Sequence, residues 1–176
     1  MSSDKRMNET PIENKIGRIL KTRNMTVTTA ESCTGGLVSG TLVNAEGISD
    51  VFKEGFVTYS NQAKEKMLHV SHETLENYGA VSKETAEEMA RGAAKEANAD
   101  AAIAVTGIAG PGGGTPQKPV GLVYIGCYIN GKVIVKKCFF KGNREKIRNC
   151  SVKEALEILY CQLLVEDDDP DIVFTK

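Results

Sequence analysis

The sequence holds only two histidines, no CxxC pair, and no apolar run approaching the ~20 residues of a membrane span. Scarce histidine and the lack of paired cysteines argue against a zinc site. His69 and His72 also fall outside the loops singled out below, which leaves a Ser–His–Asp arrangement without its base. The cysteines, Cys33, Cys127, Cys138, Cys150 and Cys161, are odd in number and unpaired in spacing, as expected of reduced thiols in a cytoplasmic protein. Neither charge sign is in excess, with 22 Lys and Arg against 23 Asp and Glu, so no broad basic field exists and no nucleic-acid partner is expected. The opening MSSDKRMNETPIEN has no apolar centre and does not read as a signal peptide. Two nucleotide-binding signatures are missing as well. Neither the dinucleotide fingerprint GxGxxG nor a P-loop ending in GK and a hydroxyl residue occurs, which disfavours a dinucleotide oxidoreductase.

What is present is a chain of 176 residues, sized for one domain that buries roughly 70% of its unfolded surface without help from a disulfide or metal. Residues 1–10 are polar and expected to be mobile, residues 11–165 form the domain, and 166–176 make an acidic tail. PIENKIGRILKTRN spaces Ile12, Ile16, Ile19 and Leu20 as on a helix, and MTVTTAE reads as a strand. GGLVSGTLVNAEG reads as a helix stopped near Gly47, VFKEGFVTYS as a second strand, and NQAKEKMLHV as a helix capped by Asn61. SHETLENYG is a helix ending at Gly79, and SKETAEEMARGAAKEANA is the clearest helix, with Ser82 as cap and an alanine-rich inner stripe. The continuously apolar DAAIAVTG predicts a strand covered on both faces, Asn130-Gly131 a tight hairpin, and NREKIRNCSVKEALEILYCQLL a long final helix. Early alternation of helix and strand with a late hairpin gives an α/β class: a three-layer helix–sheet–helix domain with a mixed sheet.

Four stretches fall at strand ends or loops, where open α/β sheets bind ligands. In Glu31-Ser32-Cys33-Thr34-Gly35-Gly36, a hydroxyl could cap a helix or act beside backbone N–H groups that hold an anion. Capping and chemistry both remain open there, and Cys33 reads equally as a small buried hydrophobe. In TYSNQAK, Tyr59 and Lys64 bracket a strand-to-helix turn, and a desolvated lysine or a tyrosine can take a serine proton. In GIAGPGGGTPQKPVG, Gly107, Gly110, Gly112, Gly113 and Gly114 permit close backbone approach to a ligand, Thr115 and Lys118 add a hydroxyl and a cation, and the prolines argue against simple floppiness. In GNREKIR, Arg144 and Arg148 share a helix face, suited to a phosphate or carboxylate or to a solvated salt-bridged surface.

Together these stretches resemble the family of the C-terminal domain of the competence/damage-inducible protein CinA, whose stand-alone members include nicotinamide mononucleotide deamidases. The likeness runs from about residue 12 to residue 164 through TAESCTGGLVSGTLVNAEGISDVFKEGFVTYSNQAK, GAVSKETAEEMARG, AVTGIAGPGGGTPQKPVGLVYIG and GNREKIR, in that order. It implies hydrolysis of the carboxamide of nicotinamide mononucleotide, a small-molecule nucleotide substrate, to nicotinate mononucleotide and ammonia, with no cofactor and no metal. It implies Ser32 as nucleophile or water-positioning hydroxyl, and Tyr59 and Lys64 as its partners. The substrate-binding set it implies is Glu31, Thr34, Gly35 and Gly36, the loop residues Gly110, Gly112, Gly113, Gly114, Thr115 and Lys118, and the cations Arg144 and Arg148. Glu31 would orient Lys64 or the substrate ribose, and Gly35 and Gly36 would leave bare N–H groups for an oxyanion. The pyrophosphatase domain of larger members is not in this sequence, so that activity is not expected. His69 stands where a glycine is expected, and Ser151 where a threonine is expected. A binding-only or assembly module of the same fold is the alternative, disfavoured because it would not need Ser32, Tyr59 and Lys64 together. A homo-oligomer is expected from the apolar surface of the hairpin and last helix; no membrane association is.

Overall fold

The computed structural model describes residues 10–165. The N-terminal segment apart from Thr10, and the acidic tail 166–176, lie outside the described residues. Five strands form one sheet in the order β2-β1-β3-β4-β5: β1 (Val27–Glu31), β2 (Phe56–Val57), β3 (Ala101–Gly107), β4 (Leu122–Ile129) and β5 (Lys132–Phe139). β1 runs parallel to β2 and β3, while β3/β4 and β4/β5 are antiparallel, so the sheet is mixed. Helices α1 (Ile12–Thr22), α2 (Leu37–Leu42) and α6 (Arg144–Val165) pack one face through a cluster that includes Ile16, Val38, Ile103, Ile125 and Leu159. Helices α3 (Asn61–Leu68), α4 (His72–Tyr78) and α5 (Lys83–Glu96) cover the other through Leu68, Leu75, Met89, Ala102 and Ala104. The expected helix–sheet–helix layering is the observed one.

Local sequence explains most of these elements. β1 and β3 lie between two helical layers, so their side chains are buried on both faces. Asn130 and Gly131 both take positive φ, 46° and 91°, as a two-residue hairpin loop requires. Ser82 caps α5 by accepting the Thr85 N–H at 3.1 Å. Gly92 lets α5 cross α3 closely, since a Cβ there would stand 1.9 Å from the Leu68 carbonyl oxygen. That contact seats α3, the helix that carries Lys64.

Three local expectations need correction. The segment 51–60 is a strand only over Phe56–Val57, with an isolated bridge from Phe52 to Val27. Gly55 presses against β1, where a Cβ would meet Thr29 Oγ1 at 2.5 Å, and Thr28 Oγ1 takes the Glu54 carbonyl that a ladder would use. The helix after the double glycine ends at Leu42 rather than near Gly47, and a 3-10 turn, Ile48–Asp50, follows. Ser60, not Asn61, caps α3, its Oγ accepting the Ala63 N–H at 3.1 Å. His69 closes α3 at φ 55°, a left-handed position that glycine adopts without strain, which accounts for the glycine expected there.

The topology places the site. From β1 the chain crosses one face through α2 to β2; from β2 it crosses the other face through α3–α5 to β3. Strand order therefore reverses at the carboxyl end of β1, the position where open α/β sheets leave a crevice. Ser32 is the first residue beyond it.

Candidate active site

Ser32 continues the sheet by one hydrogen bond, its N–H donating to the Val105 carbonyl at 2.9 Å. A turn then closes as the Gly35 N–H donates to the Ser32 carbonyl at 3.1 Å. Gly35 and Gly36 sit at φ 60° and 97°, where a side chain would be strained. What caps α2 is not Ser32 but Glu31. Its Oε2 accepts the N–H groups of Gly36 at 2.9 Å and Val38 at 3.0 Å, and its Oε1 accepts the Ser39 N–H and Ser39 Oγ, both at 2.8 Å. The carboxylate is fully buried, and the first turn of α2 satisfies both of its oxygens. This corrects the expectation that Glu31 orients Lys64, and it corrects the oxyanion donors too, because the N–H groups of Gly35 and Gly36 are already engaged. Among the described residues, the loop N–H groups not engaged by another residue belong to Cys33, which faces its own thiol, and Thr34.

Glu31→Gln should therefore lower stability by about 2 kcal/mol, since an amide NH2 would face two donors on Ser39 and leave buried groups unsatisfied. Urea denaturation measures the loss; an unchanged midpoint would show that the cap is dispensable.

Lys64 enters from α3 on the opposite layer. It is 1% exposed, with Nζ 3.1 Å from Ser32 Oγ and 2.9 Å from the Thr58 carbonyl oxygen. No carboxylate is among those partners, and burial pushes its pKa down to about 8, with Cys33 opposing only weakly. Burial pushes the Cys33 thiol up to about 11, against weaker opposing pulls from a backbone hydrogen bond, Arg148, Lys64 and Arg144. Cys33 is thus a neutral thiol in a packed position. A hydroxyl within hydrogen-bonding distance of a lysine amine whose pKa is held near 8 is the geometry that a nucleophile–base pair requires.

Both arginines reach the site from the start of α6, but each also braces it. Arg148 Nε donates to the Cys33 carbonyl at 3.0 Å and Nη2 to the Thr34 carbonyl at 2.8 Å. A trans peptide points its N–H opposite its C=O, so the Cys33 contact turns the Thr34 N–H away from Arg148. Arg144 Nη1 donates to the Gly110 carbonyl and Nη2 to Tyr59 Oη, both at 2.9 Å. Tyr59 is 62% exposed and meets Arg144, not Ser32 or Lys64. In the glycine loop, Gly110 is buried beside Ala109, while Pro111–Gln117 are exposed. Thr115 and Lys118 close a turn, Thr115 N–H to Lys118 O at 2.9 Å and Lys118 N–H to Thr115 Oγ1 at 3.0 Å. The Lys118 ammonium binds the Tyr78 carbonyl at the end of α4. The hydrogen bonds thus fall into separate groups around the carboxyl end of β1: Lys64 with Ser32 and Thr58, Arg148 with Cys33 and Thr34, and Arg144 with Gly110 and Tyr59, while Lys118 bonds Thr115 and Tyr78.

Two residues escaped the sequence reading. Ser39 completes the Glu31 cap and also meets Thr29 Oγ1 at 2.7 Å; its place on the first turn after the double glycine was the available signal. Thr58 supplies the carbonyl that holds Lys64, a backbone role that leaves no mark in sequence. The hydroxyls of Thr34 and Thr58 are both buried without a hydrogen-bond partner. Among the described residues, no group of three His, Cys, Asp or Glu is placed to hold a metal ion, and no helix is long and apolar enough to cross a membrane.

Comparison with known proteins shows the family. Residues 9–163 match the CinA C-terminal domain family. The chain belongs to that family. A protein of Clostridium botulinum type A, named as competence-damage inducible, is 57% identical over 151 residues, covering 86% of this chain and 37% of its own length. One of Clostridioides difficile with the same name is 56% identical over 155 residues, again 37% of its length. The chain therefore spans little more than a third of the curated relatives it matches. Among solved structures, competence/damage-inducible protein CihA from Agrobacterium tumefaciens is 46% identical with a TM-score of 0.82, covering 90% of this chain and 99% of that one. A CinA superfamily protein from Enterobacter cloacae is 35% identical with a TM-score of 0.85, covering 93% and 99%. The mixed five-stranded sheet between helices is the fold of this superfamily.

Proposed function

We propose that this chain is an amidohydrolase that converts nicotinamide mononucleotide to nicotinate mononucleotide and ammonia, in recycling of pyridine nucleotides in the cytoplasm. The observation that carries the reading is the buried Lys64 amine 3.1 Å from Ser32 Oγ. In it, neutral Lys64 takes the Ser32 proton as Oγ attacks the carboxamide carbon. The tetrahedral oxyanion is met by the Cys33 and Thr34 N–H groups, each worth about 3 kcal/mol of barrier if well placed. Lys64 then returns the proton to the departing amine, releasing ammonia and leaving an acyl-serine. Water, deprotonated by Lys64, hydrolyses that ester to the carboxylate and restores Ser32. Arg148 holds the Cys33–Thr34 carbonyls, and Arg144, exposed at the rim with donors to spare, holds the 5′-phosphate with help from the glycine loop and Lys118. Tyr59 flanks Arg144 and orders it. Exposed Ile134 and Phe139 on β5 and Val165 on α6 supply the apolar surface for a homo-oligomer.

Ammonia release from purified protein on addition of nicotinamide mononucleotide is the test. The riboside, which lacks the phosphate, should show a specificity constant at least about 100-fold lower, because charge-assisted hydrogen bonds contribute several kcal/mol of binding. Equal constants would remove the phosphate clamp. Binding of the mononucleotide without ammonia release would make the chain a binding module instead.

A further inference from the structure

Thr58 carries a buried hydroxyl with no partner, in the residue whose carbonyl grips Lys64. A buried, unsatisfied hydroxyl costs about 1–3 kcal/mol, and valine would fill the same space without that cost. Such a group in a packed site calls for a use. The surroundings narrow that use. The Thr58 N–H donates to the Glu31 carbonyl at 2.8 Å, which fixes the backbone beside Lys64. Lys64 Nζ has two acceptors, Ser32 Oγ and the Thr58 carbonyl. With the neutral amine's lone pair turned to the Ser32 hydroxyl, and again after the proton has moved, one N–H of Nζ is left without either acceptor, and the hydrogen bond it can make is much stronger from the ammonium. The unpartnered hydroxyl sits on the same residue as the carbonyl that already touches Nζ.

We propose that Thr58 is a positioning residue whose hydroxyl accepts the third N–H of Lys64 once Lys64 has taken the Ser32 proton. The contact is weak while Lys64 is neutral and charge-assisted while it is charged. The inference rests on the reading of Lys64 as the base. The ionisable groups near Lys64 are Cys33 on the β1–α2 loop and, beyond it, Arg148 and Arg144 of α6. The α5 face packed against α3 offers Met89, Ala90, Ala93 and Ala94, none of which titrates. None of these groups is altered by a change at Thr58.

The experiment compares Thr58→Val and Thr58→Ser in the full chain by 15N NMR titration of the lysine amines, with Lys64→Met assigning the Lys64 signal. In Thr58→Val the Lys64 midpoint should fall by about one unit, the worth of one hydrogen bond to a charged group. Ammonia release should show kcat about tenfold lower with KM little changed. The melting temperature should not fall, since the substitution removes an unsatisfied group. Thr58→Ser, which keeps the hydroxyl, should restore the midpoint and the rate. An unchanged Lys64 midpoint in a folded Thr58→Val protein overturns the proposal. The titration needs no substrate, so it stands apart from the deamidase reading: a wild type without ammonia release but with the shift would refute that reading alone.

Discussion

Ser32→Ala should lose ammonia release by at least about 10³-fold while remaining folded. The fold gives this expectation a sharper form than sequence allowed. The serine of a loop that opens a helix is an ordinary cap, and losing a cap costs ~1 kcal/mol. Here Glu31 and Ser39 do the capping, and the side-chain partner of Ser32 Oγ is the Lys64 amine. Truncation therefore removes no cap but takes one partner from the buried Lys64 amine, and the loss of stability in urea should stay within about 1–3 kcal/mol. Near-normal turnover by purified Ser32→Ala would leave Lys64 activating water without a covalent step. A large loss of stability would mean that Ser32 holds the loop after all.

The frame of this site was legible in the sequence because its signals are local. A strand run ending at Glu31, two glycines, and an apolar run in DAAIAVTG placed Ser32 and the glycine loop at strand ends; that the two strands are neighbours, paired from Val27–Ala101 to Glu31–Val105, came only with the fold. Asn130-Gly131 announced the hairpin and Ser82 the start of α5 for the same reason. What sequence could not separate was which polar residue of Glu31–Thr34 caps and which reacts, since both tasks favour small oxygen-bearing side chains. Burial and distance separate the contacts: the Glu31 carboxylate faces the N–H groups of α2, and Ser32 Oγ faces Lys64, the arrangement the proposed mechanism uses. The arginines at 144 and 148 read as a pair on one helix face. In space they serve different ends, one on Gly110 and Tyr59 and one on Cys33 and Thr34. Contacts to backbone carbonyls carry no residue-type signature on the accepting side, so neither role could be read beforehand.

Activity should rise with pH through about 8 and then level, because the neutral amine of Lys64 is the working form in the proposed mechanism and burial holds its pKa there. The same shift ties stability to pH with a definite sign. The unfolded lysine keeps its proton up to about 10.5, while the folded one gives it up near 8. Between those values the unfolded state binds more protons, so this group makes the protein more stable as pH rises across the window. Below pH 8 its full cost to stability applies, on the order of 3 kcal/mol for a shift of this size. Lys64→Met keeps the length and apolar stem but cannot be charged. It should be inactive at every pH, more stable than wild type below pH 8, and should lose that advantage toward pH 10.5. Lys64→Arg should be inactive too, since guanidinium keeps its proton at any working pH, and it should be less stable because the buried charge can no longer neutralise. Ammonia release from pH 6 to 10, with urea unfolding at the same points, checks both curves. An active Lys64→Arg would exclude lysine as the base, and a Lys64→Met whose stability tracked wild type at every pH would mean that Lys64 stays charged in the fold.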